Sequence, residues 1–323
     1  MNKIYKERNL CMVWNHLQSD WISQLCGKDN ETNLLAKFKW GKKLYYKYLK
    51  ARFIVTHKPV IPLMDYVLTT RCTLNCKHCN TKIPEFNKNK SHIKMTNFIQ
   101  FKNDIDKLLK SVDFIKVLFL VGGEPTLAPE LDKIITYATS KKQIHHVFLA
   151  TNCTILPDEK LINAMKNKKF AVQVSDYSNV KNIKGGVVVK YQEFKKILTD
   201  NGIKFNNFQE QHDAHTWRSM PEIYKDTRDE KTLKKIYNSC FSLSCNMLCE
   251  GKFLLCTVAT YIALNLELTP EVQNEIIDIR NEKSSKEITK KLINFYSKPF
   301  NYFCGYCHHD NIQTGLPCGE QVE

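Results

Sequence analysis

The sequence predicts an α/β fold in which parallel strands curve into a partial barrel. Short apolar runs alternate with amphipathic helical stretches between residues 63 and 205. Repeated βα units of this kind imply a parallel sheet with right-handed crossovers. About six units fit before residue 240, fewer than the eight of a closed barrel, which needs about 250 residues. No uncharged apolar run approaches about 18 residues, so no membrane span is expected.

The individual elements follow from the spacing of apolar residues. The predicted strands are residues 63–68, 117–121, 146–150, 170–174 and 203–205, and the predicted helices are residues 96–110, 129–140 and 191–199. Each strand is a short apolar run, as expected for parallel strands buried on both faces. Residues 247–256 predict a β-hairpin with Glu250 and Gly251 at its turn.

Residues 1–60 carry no catalytic motif and are expected to form a mostly helical extension. Aromatic and lysine side chains recur at loosely helical spacing between residues 38 and 50, which predicts an amphipathic helix packed against the barrel. A surface for a polymer, membrane or peptide partner is the alternative. The expected domains are therefore this extension, a core at 61–235 and a smaller C-terminal region at 236–323.

The composition of the 323-residue chain is that of a globular protein, with 43% hydrophobic and 25% charged residues. The formal net charge of +15 comes mostly from dispersed lysines, which favours a solvated surface over attraction to an anionic partner. The basic and aromatic modules of nucleic-acid-binding proteins are missing, so no nucleic acid is expected. Without an export signal, the thirteen cysteines indicate thiolates in a reducing, cytoplasmic compartment.

Three cysteines directly after the first predicted strand form a C-x3-C-x2-C pattern, with Cys72, Cys76 and Cys79. A 4Fe–4S cubane normally takes four thiolates. A local set of three leaves the fourth iron open to a substrate or cofactor, as a catalytic zinc keeps one position free. Part of a zinc site, or chance, is the alternative.

A second motif, Gly122-Gly123-Glu124-Pro125-Thr126, ends the second predicted strand one βα unit later. Glycines lack side chains, so the backbone at Gly122 and Gly123 can approach a ligand closely. As an ordinary strand-to-helix turn the motif would be unremarkable; its place after the three cysteines makes it informative.

With these two motifs the chain resembles the radical S-adenosylmethionine enzymes. The resemblance implies a partial (β/α)6 TIM-like barrel and a 4Fe–4S cluster on the three cysteines. It also implies S-adenosyl-L-methionine on the free iron, cleaved to a 5′-deoxyadenosyl radical by an electron from a flavodoxin or ferredoxin. Gly122, Gly123 and Glu124 would then meet the methionine amino group, and His78 would lie near the adenine.

The resemblance also points to polar residues that follow the third and fourth strands. Thr151 and Asn152 match a Thr-Asn pair of the family, although Cys153 replaces the usual glycine. Ser175 is expected to contact the ribose, and Asp176 is a candidate partner for a substrate hydroxyl or amine.

The C-terminal cysteines resemble the SPASM/twitch extension of the same enzymes, a β-hairpin plus helix. Cys240, Cys256, Cys304 and Cys307 match the shorter twitch form, which holds one auxiliary 4Fe–4S cluster. A structural zinc site of four cysteines is the alternative.

Two further cysteines, Cys245 and Cys249, flank this set. A thiol S–H bond is weak enough to quench a carbon radical, so either is a candidate catalytic hydrogen donor. A buried structural thiol or substitute ligand is the alternative.

The resemblance specifies the mechanism more closely than the substrate. The first hypothesis is abstraction of hydrogen from a sugar, aminocyclitol or nucleotide-sugar, giving dehydrogenation or epimerisation. The second is modification of a ribosomally made peptide by a thioether, a crosslink or epimerisation. The third is a non-catalytic iron–sulfur scaffold, for which the Gly-Gly-Glu turn would have no use.

Overall fold

The computed structural model describes residues 38, 40–88, 93–181, 183–207, 217–240, 245–308 and 312–322. The strands are β1 (Ile61–Thr69), β2 (Ile115–Gly122), β3 (Ile144–Thr151), β4 (Phe170–Val174), β5 (Phe205–Asn207), β6 (Trp217–Arg218), β7 (Glu222–Ile223), β8 (Asn246–Cys249), β9 (Lys252–Leu254), β10 (Ile277–Asp278), β11 (Cys307–His308) and β12 (Thr314–Leu316). The helices are α1 (Gly41–Thr56), α2 (Ile83–Lys88), α3 (Phe98–Ser111), α4 (Leu131–Ser140), α5 (Glu159–Met165), α6 (Tyr191–Asp200), α7 (Glu230–Ser239), α8 (Thr257–Asn265), α9 (Pro270–Gln273) and α10 (Ser285–Ser297).

A mostly parallel sheet of eight strands organises the described residues, in the order β10-β9-β8-β1-β2-β3-β4-β5. Strands β8 and β1 to β5 run parallel to one another. Strand β9 is antiparallel to both β8 and β10. The predicted α/β fold with a partial parallel barrel is confirmed. No helix in this part of the chain is long and apolar enough to cross a membrane.

The expected count of six units before residue 240 needs a correction. Five strands of the described chain before residue 240 join the parallel sheet, and the sixth, β8, comes from the predicted hairpin. β8 pairs with β1 on the side opposite β2, with Asp65 beside Met247. An uncovered β1 edge would expose unpaired backbone groups, and β8 satisfies them.

The fifth strand begins two residues later than the spacing predicts, at Phe205. Gly202 has φ 65, and its N–H donates to Thr199 O while Ile203 N–H donates to Leu198 O. These two bonds form a Schellman cap, so Ile203 closes helix α6 instead of opening the strand.

The predicted amphipathic helix near residue 40 is confirmed as α1, for the part of the extension that the structure describes. Tyr45, Leu49 and Phe53 recur at four-residue intervals and are buried, which places them on one helix face. They pack in one apolar cluster with Leu63 and Phe119 of the sheet. The remaining prediction for residues 1–37 lies outside the described residues.

The opposite face of the sheet carries a buried polar cross-link centred on Asp104 of α3. Tyr66 Oη donates to Asp104 Oδ2 at 2.8 Å. Arg280, which follows β10, donates to both carboxylate oxygens at 2.8 and 2.9 Å. A Cβ at Gly251 would lie 2.5 Å from the Arg280 side chain. The cross-link therefore fixes the hairpin turn, β1 and α3 relative to one another.

Replacing Arg280 by alanine should destabilise the fold by about 3 kcal/mol, because it leaves the buried Asp104 carboxylate with less compensation. The exposed Lys196–Asp200 pair provides the control, and Lys196→Ala should cost at most about 0.5 kcal/mol. Urea unfolding measures both. Equal losses in the two variants would show that the Asp104 cross-link contributes little to stability.

Candidate active site

The carboxyl ends of β1 and β2 are joined by backbone hydrogen bonds. Gly123 N–H donates to Thr69 O at 2.7 Å and Glu124 N–H donates to Arg71 O at 2.9 Å. A Cβ on Gly122 would lie 2.1 Å from Thr69 O, and one on Gly123 would lie 2.2 Å from Arg71 O. A side chain at either position would clash with the backbone of Thr69 or Arg71, so both residues must be glycine. Their expected contact with a cofactor stays a prediction.

The Glu124 carboxylate is fully buried and ties the end of β2 to the end of β3. It accepts hydrogen bonds from Thr126 Oγ1 at 2.7 Å, Thr151 Oγ1 at 2.9 Å and Asn152 N at 2.8 Å. Burial raises the pKa of Glu124, and these donors oppose the rise. The side chain thus serves as a hub between strand ends, and its direct contact with a cofactor stays a prediction.

Asn152 reaches from the end of β3 to the first cysteine. Its Nδ2 donates to Thr73 Oγ1 at 3.0 Å and to Cys72 Sγ at 3.5 Å, while its Oδ1 accepts from Thr154 Oγ1 at 2.7 Å. The next residue, Cys153, has φ 59, a left-handed conformation that glycine adopts most easily. This explains why a glycine is usual at that position.

The three N-terminal cysteines lie close together on the loop after β1. Cys79 N–H donates to Cys76 O at 3.1 Å, and Leu74 N–H donates to Cys72 Sγ at 3.4 Å. Burial, and then the nearby Cys79, raise the pKa of Cys76 to about 12. An unliganded Cys76 thiol therefore stays protonated at neutral pH, and its thiolate requires a bound cation. The trio fits a cationic iron cluster.

Ser175 and His78 are the two residues expected near the adenosine. His78 belongs to the cysteine loop itself, between Cys76 and Cys79. Ser175 follows β4 and its N–H donates to Thr151 O at 2.9 Å, which places it beside the end of β3. His78 is partly exposed, and its pKa is lowered by burial and then by Lys77. Their proposed cofactor contacts stay predictions.

A segment that sequence reasoning missed covers the cysteine loop. Residues 319–322 pair with it in an antiparallel bridge between Cys76 and Gln321. Lys77 N–H donates to Glu320 O at 2.7 Å, and Val322 N–H donates to Asn75 O at 2.8 Å. No local sequence pattern predicts a pairing across 245 positions.

The four C-terminal cysteines of the predicted auxiliary site line one cavity. Its lining consists of Cys240, Cys256, Cys304 and Cys307 together with Ile236, Leu255, Val258, Ala259 and Phe303. The cavity has about 370 Å³ of free space, part of it open to solvent. Burial and the nearby Cys240 raise the pKa of Cys256 to about 12. Within the described ranges, no three Cys, His, Asp or Glu side chains converge as ligands of one metal ion.

The two candidate catalytic thiols occupy different surroundings. Burial raises the pKa of Cys245 well above its ordinary value, and the neighbouring Asp65, Cys256 and Cys240 contribute to the rise. Cys249 is 1% exposed, and burial and then Glu250 raise its pKa to about 12. The structure therefore brings Cys245, and not Cys249, beside the second cysteine set.

Asp65 is a further candidate that sequence reasoning missed. It interrupts the apolar run of β1 and shares a sheet face with Leu63 and Val67, because side chains alternate along a strand. Its Oδ1 is buried with no hydrogen-bond partner in the described part of the chain. Burial raises its pKa to about 7. A carboxylate inside an apolar run was the available signal.

A small cavity lies at the mouth of the barrel, between the cysteine loop and α8. Its lining residues are Val67, Thr69, Thr70, Thr81, Ile83, Phe86, Gly122, Met247, Thr257 and Thr260, around about 240 Å³ of free space. Five of these ten residues are threonines, whose side chains carry hydroxyl groups. Asp65 lies two residues before Val67 on β1, so their side chains are on the same face of the sheet. Asp65 also pairs with Met247 of β8.

Lys82 interacts electrostatically with cysteines of both sets. Burial lowers its pKa, while Glu85, Cys307 and Cys79 raise it. One ammonium group is thus close to a thiol of each set. The loop after β1 and the segment around β11 must therefore lie near each other.

The comparison with known families decides what kind of domain this is. Residues 66–205 match the family model described as the radical SAM superfamily. The chain carries a radical S-adenosylmethionine domain. Such a domain implies a 4Fe–4S cluster and S-adenosyl-L-methionine as cofactors, and the trio of cysteines after β1 fits that cluster.

Two curated proteins share sequence with part of this chain. GTP 3′,8-cyclase of Clostridium acetobutylicum is 41% identical over 101 residues, which is 29% of this chain and 29% of the relative. A 7,8-dihydro-6-hydroxymethylpterin dimethyltransferase of Methanocaldococcus jannaschii is 34% identical over 116 residues, which is 36% of this chain and 21% of the relative. The chain thus matches less than a third of either relative's length.

Three solved structures also show partial similarity to this chain. The enzyme anSMEcpe with bound AdoMet has a TM-score of 0.46 and 14% identity, covering 78% of this chain and 82% of that one. BtrN in an open conformation has a TM-score of 0.39 and 14% identity, covering 78% and 94%. Streptococcus suis SuiB bound to its precursor peptide SuiA has a TM-score of 0.38 and 14% identity, covering 64% and 45%. Likenesses this distant say nothing about the substrate.

The buried Asp65 carboxyl should make stability depend on pH. Its folded pKa of about 7 lies above the ordinary 3.8, so between these values the folded chain binds more protons than the unfolded chain. Stability from this group is therefore lost as pH rises from about 4 towards 7. Asp65→Asn should reduce that loss, measured as the free energy of unfolding at pH 5.5 and 7.5 without oxygen. An identical pH dependence in both proteins would place the Asp65 titration outside this window.

Proposed function

We propose that the protein is a radical S-adenosylmethionine oxidoreductase with two 4Fe–4S clusters, acting on a C–H bond of a sugar, aminocyclitol or nucleotide-sugar. The observation that carries this proposal is the single cavity lined by Cys240, Cys256, Cys304 and Cys307, next to a radical S-adenosylmethionine domain. The electron donor would be a flavodoxin or ferredoxin, and the reducing cytoplasm would be the compartment.

At the first site, Cys72, Cys76 and Cys79 would hold three irons of the cluster. When bound, this cluster and S-adenosyl-L-methionine supply the radical that removes a hydrogen atom from the substrate. Glu124 and Asn152 hold the strand ends and Cys72 in place through the hydrogen bonds described above. Gly122 and Gly123 would face the methionine group, with His78 and Ser175 at the adenosine.

The arrangement of the second set favours a cubane over a zinc ion. Four ligands of one zinc ion converge on a single point, whereas each thiolate of a cubane binds a different iron. The four C-terminal cysteines surround a volume and do not converge on one point. A second 4Fe–4S cluster is the group that this cavity suits.

Dehydrogenation of an alcohol requires the removal of one hydrogen atom, one proton and one further electron. The hydrogen atom goes to the radical, and the second cluster would accept the electron. Asp65 would accept the proton, because its carboxyl is buried, close to the second cysteine set through Cys245, and has a pKa near 7. If instead a hydrogen atom is returned to the carbon, Cys245 would be the thiol that donates it, and the product would be an epimer.

The hydroxyl-rich cavity at the barrel mouth supports a polyhydroxylated substrate. The five threonine side chains that line it offer donors and acceptors that suit sugar hydroxyls. Lys82 follows Thr81 directly and would favour a phosphorylated or nucleotide-linked substrate.

Anaerobic reconstitution should load about eight iron atoms per chain, four for each cluster. With reductant and S-adenosyl-L-methionine, the protein should release 5′-deoxyadenosine. The Cys304→Ala/Cys307→Ala variant should retain about four irons and still release 5′-deoxyadenosine, while Cys72→Ala should release none. Four irons plus one zinc in the wild type would overturn the second cluster.

Cys245→Ala and Cys249→Ala form a matched pair that separates the two outcomes at the substrate carbon. If the enzyme dehydrogenates, neither variant should change the product. If it epimerises, Cys245→Ala should uncouple 5′-deoxyadenosine release from product by at least about tenfold, with Cys249→Ala unaffected. An effect confined to Cys249→Ala would contradict the placement of Cys245 as donor. Turnover of a ribosomal peptide and of no sugar substrate would favour the alternative function.

A further inference from the structure

We propose that Gln321 sets the reduction potential of the first cluster by donating a side-chain hydrogen bond to the Cys76 sulfur. The inference rests on the proposed function in one respect, since it requires a 4Fe–4S cluster on Cys72, Cys76 and Cys79. It concerns a residue at the far end of the chain that the cysteine pattern does not include.

The contacts of the Gln321 amide group fix which of its ends faces the sulfur. Asn75 N–H donates to Gln321 Oε1 at 2.8 Å. Because a backbone N–H needs an acceptor, the oxygen must point towards Asn75, and the NH2 group must take the other side. Gln321 Nε2 then donates to Cys76 Sγ at 3.4 Å and to Gly319 O at 2.6 Å.

The backbone on both sides of Gln321 holds this side chain in register. Glu320 O accepts from Lys77 N–H, and Val322 N–H donates to Asn75 O. The bridge between Cys76 and Gln321 lies between these two bonds. The donor therefore belongs to a short ladder that holds it in register with Cys76.

The approach of this segment also depends on the turn at Gly319. Its φ is 76, and a Cβ there would lie 2.7 Å from Tyr177 Cδ1. Tyr177 follows β4, and burial raises its pKa, with Cys76 as the next cause. The segment is thus packed between the cysteine loop and the residues that follow β4.

A hydrogen bond to a cluster sulfur favours the reduced state. Reduction adds an electron that is shared with the thiolate ligands, so a donor at Cys76 Sγ stabilises the reduced cluster more than the oxidised one. Hydrogen bonds to the sulfurs and solvent exposure are among the factors that set cluster potentials. Gln321 should therefore make the first cluster easier to reduce by its protein electron donor.

Two substitutions at Gln321 test this role, and one elsewhere serves as control. Gln321→Glu keeps an oxygen for Asn75 N–H but replaces the donor at Cys76 with a negative charge. Gln321→Leu removes the donor without adding charge. Gln313→Glu adds the same charge at an exposed glutamine whose backbone bonds to Ser219.

The measurement is an anaerobic redox titration of the first cluster, monitored by electron paramagnetic resonance. All proteins carry Cys304→Ala/Cys307→Ala, so that the second cluster does not contribute to the signal. The midpoint potential should fall in the order Gln313→Glu, Gln321→Leu, Gln321→Glu. The reduction equilibrium should shift at least tenfold for Gln321→Glu, about 59 mV for one electron. Equal potentials in all three proteins would overturn the inference.

If the Gln321 variants assemble no cluster, the hydrogen bond can be detected directly in the wild-type protein. Pulsed resonance of the reduced protein labelled with side-chain 15N-glutamine should show one coupled nitrogen, and its absence would overturn the inference. Failure of the proposed function looks different. In that case the wild type and Gln313→Glu would themselves show no cluster perturbed by S-adenosyl-L-methionine.

Discussion

The contact between the ends of β1 and β2 is the constraint on which the candidate site depends. Gly122 and Gly123 press against the backbone of Thr69 and Arg71 so closely that no side chain fits between them. The next residue, Glu124, can then reach Thr151 and Asn152 with its buried carboxylate. The position of the first cysteine therefore depends on residues outside the cysteine motif, since Asn152, tied to Glu124, donates to Cys72 Sγ. The same contact brings the ends of three neighbouring strands into one hydrogen-bonded layer.

Much of this arrangement depends on short stretches of sequence and could therefore be predicted from the sequence. The strand β4 was predicted with its observed bounds, because a short apolar run between polar segments has few alternatives in an α/β protein. The hairpin turn is equally local: Glu250 and Gly251 have φ 51 and 74, and a glycine makes such a turn easy. The cysteine trio is recognised for the same reason, since its spacing lies within eight residues.

The features that escaped prediction depend on pairings between distant segments. Strand β8 could have extended a separate C-terminal sheet, and nothing in its four residues indicates that it joins the edge of β1. Gln321 resembles any polar residue near an exposed end until the ladder with residues 75–77 is seen. Asp65 is visible as a charge in an apolar strand, yet the strand pattern alone does not show which side chains surround it. Periodicity reports which residues are buried, and it does not report what they are buried against.

The placement of β8 has a consequence for modular exchange between enzymes of this kind. Since β1 is bonded to β2 on one side and to β8 on the other, the C-terminal hairpin is not a detachable appendage. Chain shortening near residue 240 would leave the second strand-forming edge of β1 open, and open edges recruit strands from other molecules. A chimaera that swaps this region would have to supply a replacement strand of matching register before it could supply any new chemistry.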